Sequence, residues 1–374
     1  MNICFMSRVF YLGGVSTHLI DLSEELIKGG HKVSIITSGP IKEESLANKK
    51  LFDSLLNLGV EYIHIDFPKR NTHKFNYLLG LLRGAWNCIK VLKSRKFDIV
   101  HVHTPILSFI PKLAKIPFIR TTHLHEMKLS FLDIKADYEI AISKEIYNEA
   151  MKKYKYSDGS IDLIHNGVSR DFYQPQKNYK EILELKKIYN IQDKIVIGLV
   201  GSLQHRKGHD VLINAISLLP DHIKSNLHVL FLGDGERDFL INLIKEKKLS
   251  HLFSFLSFQD PSKIYPLIDI KVLPSRKEGF PLVAIEAMLM GCCVIRSNTE
   301  GATEQIINGK TGFIFENENY SELSNVLLNL IENKGLRNQV SHAGQTYALQ
   351  HFISDIMVDK TLTVYQKALR EKTC

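Results

Sequence analysis

Residues 278–295 read EGFPLVAIEAMLMGCCVI. A loop with a glutamate, a glycine and a proline opens a short helical pattern. The helix carries a second glutamate, stops at Gly291 and runs into an apolar strand. The same alternation extends in both directions. Upstream in the first half, the candidate strands are NICFMS, KVSIIT, EYIHI, DIVHV, PFIRTT and YEIAI; in the second half they are IVIGLV, LHVLFL, FSFL, DIKVL and CCVI. Amphipathic segments lie between them. In one, Val15 to Lys28, Val15, Leu19, Leu22 and Leu26 share a face and Gly29 is the stop. Runs this apolar suit strands covered on both faces, as in parallel sheets. The pattern occurs twice, on either side of a turn-rich seam at Asn166 to Gln176, so we expect two doubly wound α/β domains, 1–170 and 171–352. The last helical pattern, Ile353 to Glu371, has no strand after it and is expected to cross back, placing 353–374 with the first domain.

The bulk properties fit this reading. A chain of 374 residues is long for one core. No apolar run approaches the roughly 18 residues of a membrane-spanning helix. The N-terminus reads as a first strand rather than a signal peptide. Cys4, Cys88, Cys292, Cys293 and Cys374 have neither zinc-site nor disulfide-framework spacing, so a reducing cytoplasm is expected. The net charge of +8 favours anionic partners without choosing among them.

In parallel sheets, ligands sit beyond the carboxyl ends of the strands. The motifs lie in such loops. Gly13 and Gly14 follow the first strand and open the first helix. They let a backbone approach a phosphate, or they make a tight turn. In GSLQHRKGHDVLI, Arg206 and Lys207 precede an apolar helix and either neutralise a pyrophosphate or are simply solvated. Pro281 suits the first helical position, where its missing N–H costs nothing. Leu282 and Val283 then present N–H groups at a positive dipole end. Glu278 before them and Glu286 in the second turn are each able to accept hydrogen bonds from vicinal hydroxyls. A sugar nucleotide offers hydroxyls, a pyrophosphate and hydroxyls in that order; an ordinary surface loop and helix glutamate is the competing reading.

His101 and His103 alternate at one strand end, and His123 and His125 follow the next. A metal would need a third ligand, and the sequence identifies none. His101 reads as a packed histidine and His123 as a donor or polariser at a strand end. No D-x-D occurs, so we expect no metal: basic side chains and helix dipoles would meet a diphosphate's charge.

Together these stretches resemble the family-4 retaining glycosyltransferases of the GT-B fold. The resemblance runs through the GG loop, HVHTP, TTHLHE, ISKE–IHNGV, GSLQHRKGHDVLI, LGDGE, SRKEGFPLVAIEAMLMGCCVI and GATEQIINGKTGFIF, with Glu278 and Glu286 matching the E-x7-E signature. It implies two Rossmann-like doubly wound domains facing a central cleft. It also implies roles. Glu278, with the backbone of Gly279, Phe280 and Leu282, would hold the donor sugar and phosphates, and Glu286 the ribose hydroxyls. Lys207 would neutralise the leaving diphosphate, together with the helix dipoles at Gly14 and Leu282. His123 would contact the donor sugar or acceptor near the reacting carbon. The implied reaction is front-face, with no protein nucleophile and no cofactor. One position departs from the pattern: Ser202 stands where many members carry Arg, and Arg206, four residues on, is the candidate substitute.

From family frequency the donor is a UDP-sugar; N-acetylglucosamine, glucose and galactose stay open. Between Asp66 and Asp98 no acidic residue occurs, while Lys69, Arg70, Lys74, Arg83, Lys90, Lys93, Arg95 and Lys96 accumulate. Phe75, Leu78, Leu82, Trp86 and Ile89 recur there at helical spacing. This is either a basic amphipathic helix for an anionic membrane surface, suiting a lipid-linked glycan acceptor, or a core-facing helix with a basic rim. An epimerase of the same fold and a basic nucleic-acid-binding protein are the competing functions, and no nucleic-acid module supports the second.

Overall fold

The structure, a computed structural model, describes residues 1–11, 13–40, 46–68, 73–123, 133–174, 179–257 and 259–373. His125, Lys69 and Arg70 lie outside the described residues. The chain divides into two compact units, Met1–Gly167 with Ser354–Cys374, and Val168–Ile353.

The first unit runs β1 (Asn2–Met6), α1 (Gly14–Lys28), β2 (Lys32–Thr37), α2 (Leu46–Asn57), β3 (Glu61–His64), α3 (Lys74–Arg95), β4 (Ile99–Val102), α4 (Phe109–Leu113), β5 (Ile119–Thr122), β6 (Tyr138–Ala141), α5 (Lys144–Tyr154) and β7 (Ile161–Leu163). The second runs α6 (Tyr179–Ile188), β8 (Ile195–Val200), α7 (His209–Ser217), α8 (Asp221–Lys224), β9 (Leu227–Leu232), α9 (Asp238–Glu246), β10 (Phe253–Leu256), α10 (Pro261–Ile264), β11 (Ile270–Leu273), α11 (Leu282–Leu289), β12 (Cys293–Ser297), α12 (Ala302–Gln305), β13 (Phe313–Phe315), α13 (Tyr320–Glu332) and α14 (Lys334–His351). The closing helix α15 (Ser354–Thr373) belongs to the first unit, as expected of a helix that crosses back.

Each unit is a parallel sheet with helices on both faces. The orders are β3-β2-β1-β4-β5-β6-β7 and β10-β9-β8-β11-β12-β13. In the first, one apolar cluster joins Leu19, Leu22 and Leu26 of α1 to Met357, Val364 and Tyr365 of α15 under Phe5 and Ile35. The other face packs Leu81, Ala85, Cys88 and Leu92 of α3 against Val100 and Val102. These buried α3 residues are not the stripe the sequence singled out. Phe75, Leu78, Leu82 and Trp86 point to solvent, with Trp86 61% exposed, and Leu79 joins them. Lys90 lies over the Trp86 ring at 5.3 Å. Among the described residues no helix is long and apolar enough to cross a membrane.

Sheet order reverses between β1 and β4 and between β8 and β11. At such switch points the loops diverge to opposite faces and leave a crevice beyond the strand ends. The candidate loops leave there: Gly13–Gly14 after β1 and His103 after β4; Ser202–Lys207 after β8 and Glu278 after β11. His123 follows β5, the next strand along.

Three local expectations change. The two edge strands β7 and β13 were not expected; each has three residues and is partly exposed, too short for a pattern of period two to register. Pro281 is the residue before the helix, with φ −69° and ψ 116°, and Leu282 is the first helical residue. Cys292 is buried just before β12, not within it.

Candidate functional site

In the first unit, Gly13 is the N-cap of α1 in an extended conformation, and its carbonyl accepts from Ser16 and Thr17 N–H at 3.0 and 3.1 Å. A Cβ on Gly14 would meet nothing within 4 Å, so the loop is open on that side. One turn into α1 stands His18, which sequence reasoning did not select. Its ring centroid lies 4.8 Å from that of His123 and 5.4 Å from that of His103. His103 Nδ1 and His123 Nε2 share a hydrogen bond at 3.2 Å, and all three residues are buried. His101 is separately satisfied, between the Tyr365 hydroxyl at 2.8 Å and that of Thr121 at 2.7 Å, which makes it the packed histidine expected.

Burial disfavours the imidazolium in all of them. His18 is lowered to about 4, with the Asn166 side chain opposing. His103 and His123 are held well below the ordinary range, by burial first and then by the neighbouring imidazoles. The cluster is therefore neutral near pH 7 and offers ring N–H and lone pairs, not charge. It also supplies the third ligand missing from the sequence: ring nitrogens of His18, His103 and His123 lie within 4.8 Å of one another, a spacing that a metal ion can use.

In the second unit the chemistry is charged. Lys207 is buried, and its Nζ donates to Glu278 Oε1 at 2.5 Å; Arg206, half exposed, brings a guanidinium nitrogen to 3.8 Å from Glu278 Oε2. Two features force this meeting. Gly208 has φ 69°, and a Cβ there would lie 1.9 Å from the Pro274 carbonyl, so the β8 loop and the end of β11 touch backbone to backbone. Arg276 then ties the loops together. It donates to both Asp210 carboxylate oxygens at 2.9 and 2.7 Å and to the His205 carbonyl at 2.6 Å, while its N–H donates to the Arg206 carbonyl at 2.8 Å. Burial pushes the Glu278 carboxyl up, but Lys207 and Arg206 outweigh it and hold the group below the usual carboxylate range.

Beyond Glu278 the chain turns through Gly279 and Phe280 into α11. Phe280 is buried edge-on against Phe352, with centroids 5.7 Å apart. The turn is braced from below. Gly301, at φ 71°, brings its Cα against the Gly279 carbonyl, where a Cβ would sit 2.8 Å away. Gln305 donates to the Pro281 carbonyl at 3.1 Å, and the fully buried Arg296 donates to Gln305 and to the Glu300 carbonyl. The N–H groups opening α11 are thus fixed in place at the helix's positive end. Leu282 is buried at that end.

Glu286 lies inside α11, 7% exposed, and accepts from the Tyr265 hydroxyl at 2.8 Å. Burial pushes it up to about 7, opposed by that hydrogen bond and by the charge of Lys271. Ser202 is partly buried and supplies a carbonyl to Gln204 N–H at 2.8 Å. Thus Arg206, Lys207 and Glu278 form one cluster, with the α11 N-terminus following directly, and Glu286 sits a turn further along on its own partner. Tyr265, Arg296, Gln305 and Lys271 were missed because each acts across the fold without a local motif. Only Lys271 and Arg296 carried a signal: a cation at a strand position where apolar residues are the rule.

Two family descriptions match this chain: Glycosyltransferase Family 4 over residues 12–172, and Glycosyl transferases group 1 over residues 181–347. The capsular polysaccharide biosynthesis glycosyltransferase CapM of Staphylococcus aureus is 27% identical, over 62% of either chain. N-acetyl-alpha-D-glucosaminyl L-malate synthase of Bacillus anthracis is 25% identical over 96% of this chain and 95% of its own. Among solved structures, Anabaena Alr3699/HepE in complex with UDP aligns with a TM-score of 0.82 at 20% identity, covering 98% of this chain and 100% of that one. With both units matched in order and each folded as a parallel α/β sheet, the chain belongs to the family-4 glycosyltransferases of the GT-B fold.

Proposed function

We propose that this glycosyltransferase moves a sugar from a UDP-sugar to a hydroxyl of a lipid-linked glycan, with retention and without a metal ion. The observation that carries the reading is the Lys207–Glu278 pair beside the α11 N-terminus. Lys207 and the helix-end N–H groups stabilise the departing diphosphate electrostatically. Arg206 supplies the charge that Ser202 lacks. Glu278, with the backbone of Gly279, Phe280 and Leu282, accepts donor-sugar hydroxyls and orients the sugar. Glu286 takes the ribose hydroxyls, and the open Gly13–Gly14 turn at the start of α1 is suited to let its backbone approach a phosphate. His123, neutral and hydrogen-bonded to His103, donates near the reacting carbon. The acceptor proton passes to a donor phosphate oxygen on the same face, so no protein nucleophile is needed. A UDP complex of a similar fold and a relative named for capsular polysaccharide biosynthesis support the donor class and the setting.

Incubation of the purified chain with UDP-N-acetylglucosamine, UDP-glucose and UDP-galactose, with and without glycan acceptors, tests this. NMR of the product anomeric centre reads the stereochemistry. Conversion of the UDP-sugar with no acceptor present would instead indicate an epimerase.

The exposed face of α3 gives the acceptor its setting. Phe75, Leu78, Leu79, Leu82 and Trp86 are followed along the helix by exposed Lys90 and Lys93, with Arg83 beside them. An apolar stripe continued by cations fits a peripheral site on the anionic inner face of a membrane. Sedimentation with vesicles of phosphatidylglycerol is expected at low salt and is lost in Leu82→Ser/Trp86→Ser. No sedimentation of the unaltered chain at low salt would end the membrane assignment, and a gel shift with RNA or DNA would point to nucleic acid instead.

A further inference from the structure

Lys271 occupies the middle of β11, registered against Gly198 of β8 and Val294 of β12. It is fully buried. Ile270 and Val272, its neighbours, enter the apolar cluster beneath α7, α9 and α13, so Lys271 points to the opposite face, the one α11 covers. The space beside Gly198 is taken by Ile268, whose side chain would lie 2.2 Å from a Cβ there, so Lys271 shares its face of the sheet with an apolar neighbour. Among the described residues its ammonium finds one acceptor, the Val272 carbonyl at 3.0 Å. One carbonyl does not compensate a buried cation. A chain that keeps such a group in a sheet centre needs a reason for it.

The charged surroundings supply one. The titratable groups acting on Lys271 are Lys207 from the turn after β8, Glu278 from the loop after β11, Glu286 from α11 and Cys292 before β12. His209 at the start of α7 feels it in turn. Glu278 is already committed to Lys207. Among the described residues Glu286 is hydrogen-bonded by the neutral Tyr265 hydroxyl, and Asp260 acts against its ionisation. Lys271 and Glu286 thus belong to the same buried β11–α11 layer, the cation on the strand face that α11 covers and the carboxylate inside α11.

We propose that Lys271 is a positioning residue for the donor: its charge keeps Glu286 ionised, and so able to accept two hydroxyls at once. This rests on the reading of Glu286 as the ribose ligand. Burial beside Lys207 lowers Lys271 to about 7, opposed by Cys292, Glu286 and Glu278, and burial raises Glu286 to a similar value, so the pair responds to pH near neutrality. Without Lys271, Glu286 holds its proton to higher pH and donates where it should accept.

The experiment is calorimetric titration of UDP into the full chain and into Lys271→Met and Glu286→Gln, from pH 6 to 9, with melting followed in parallel. Lys271→Met is expected to move the acid limb of UDP affinity up by about one pH unit. That is roughly a fivefold loss at pH 7, disappearing by pH 9 where Lys271 is neutral anyway, with no fall in melting temperature. Glu286→Gln is expected to weaken UDP at pH 8 and to flatten the profile. A Lys271→Met profile parallel to the unaltered one, or identical to it, overturns the proposal while leaving Glu286 in place. No effect of Glu286→Gln on UDP overturns the ribose reading, and the proposal with it. Should Lys271→Met fail to fold, Lys271→Leu with the pH profile of the unaltered chain makes the same distinction.

Discussion

The two switch points of this molecule solve different problems with different residues. In the second unit the strand-end loops carry an ammonium, a guanidinium and a carboxylate locked within hydrogen-bond or ion-pair range. In the first unit the equivalent position holds an open glycine turn and buried imidazoles that burial keeps uncharged. A charged cluster suits an anion that must be held and then stabilised as it leaves. A neutral, hydrogen-bonding cluster suits a hydroxyl group, which fixed charge would not improve. Two sheets of the same architecture thus diverge in the loops, and under the proposed function it is the loop chemistry, not the sheet, that would separate leaving-group work from work near the reacting carbon.

The contrast breaks first at Lys207. Lys207→Ala should lower kcat/KM by about 10²–10³-fold, the usual cost of losing a preorganised electrostatic contact to a transition state. UDP affinity should fall as well, and Glu278, left buried without its partner, should lower the melting temperature. A loss of less than about fivefold would mean that the second unit does not meet the diphosphate through this cation. The first unit sharpens the contrast. His123→Ala should reduce turnover about tenfold, the worth of one lost hydrogen bond to a reacting group, with UDP affinity changed less than twofold. If UDP binding fell in parallel, the neutral cluster would belong to nucleotide binding.

The pH dependence is a third test. Glu286 is raised, so it is ionised only above about 7. Lowering pH through that value protonates it, and UDP affinity should decline on the acid side and recover above pH 8. His123, lowered by burial, is already neutral there and should contribute no limb to the profile. Titrations of UDP across this range separate the two, because an acid limb that survives in Glu286→Gln would have to come from elsewhere. Smallest is Arg206. It is half exposed and 3.8 Å from Glu278. Arg206→Ala should cost about threefold in turnover, in keeping with a solvent-screened charge. Turnover unchanged within about twofold would remove it from the mechanism and leave Ser202 without a substitute.

How much of this was legible in the sequence depends on the reach of each interaction. The repeated strand–helix alternation, the Gly13–Gly14 turn and the two separate loops carrying Lys207 and Glu278 were readable because each is written in a local pattern beside a strand end; the contact between Lys207 and Glu278, across 71 positions, was not. His18 was passed over, because one histidine in an amphipathic helix carries no mark of the neighbours that two other strands bring to it. Tyr265 reaches Glu286 across 21 positions, and Arg296 acts through backbone carbonyls that no residue type announces. The stripe on α3 was seen, but its orientation was not: periodicity gives a face, and only the packing of Leu81, Ala85, Cys88 and Leu92 decides which face goes inward. The edge strands β7 and β13 were lost to their length.

The central claim is that a nucleoside diphosphate is held by Lys207 and the α11 N-terminus with no metal between them. Calorimetry of the full chain with UDP-glucose, UDP-galactose and UDP-N-acetylglucosamine in excess EDTA tests it most directly. The account predicts a saturable heat with at least one of them, unchanged by added Mg²⁺ or Mn²⁺ and lost in Lys207→Ala. Heat that develops only when a divalent ion is supplied would contradict it.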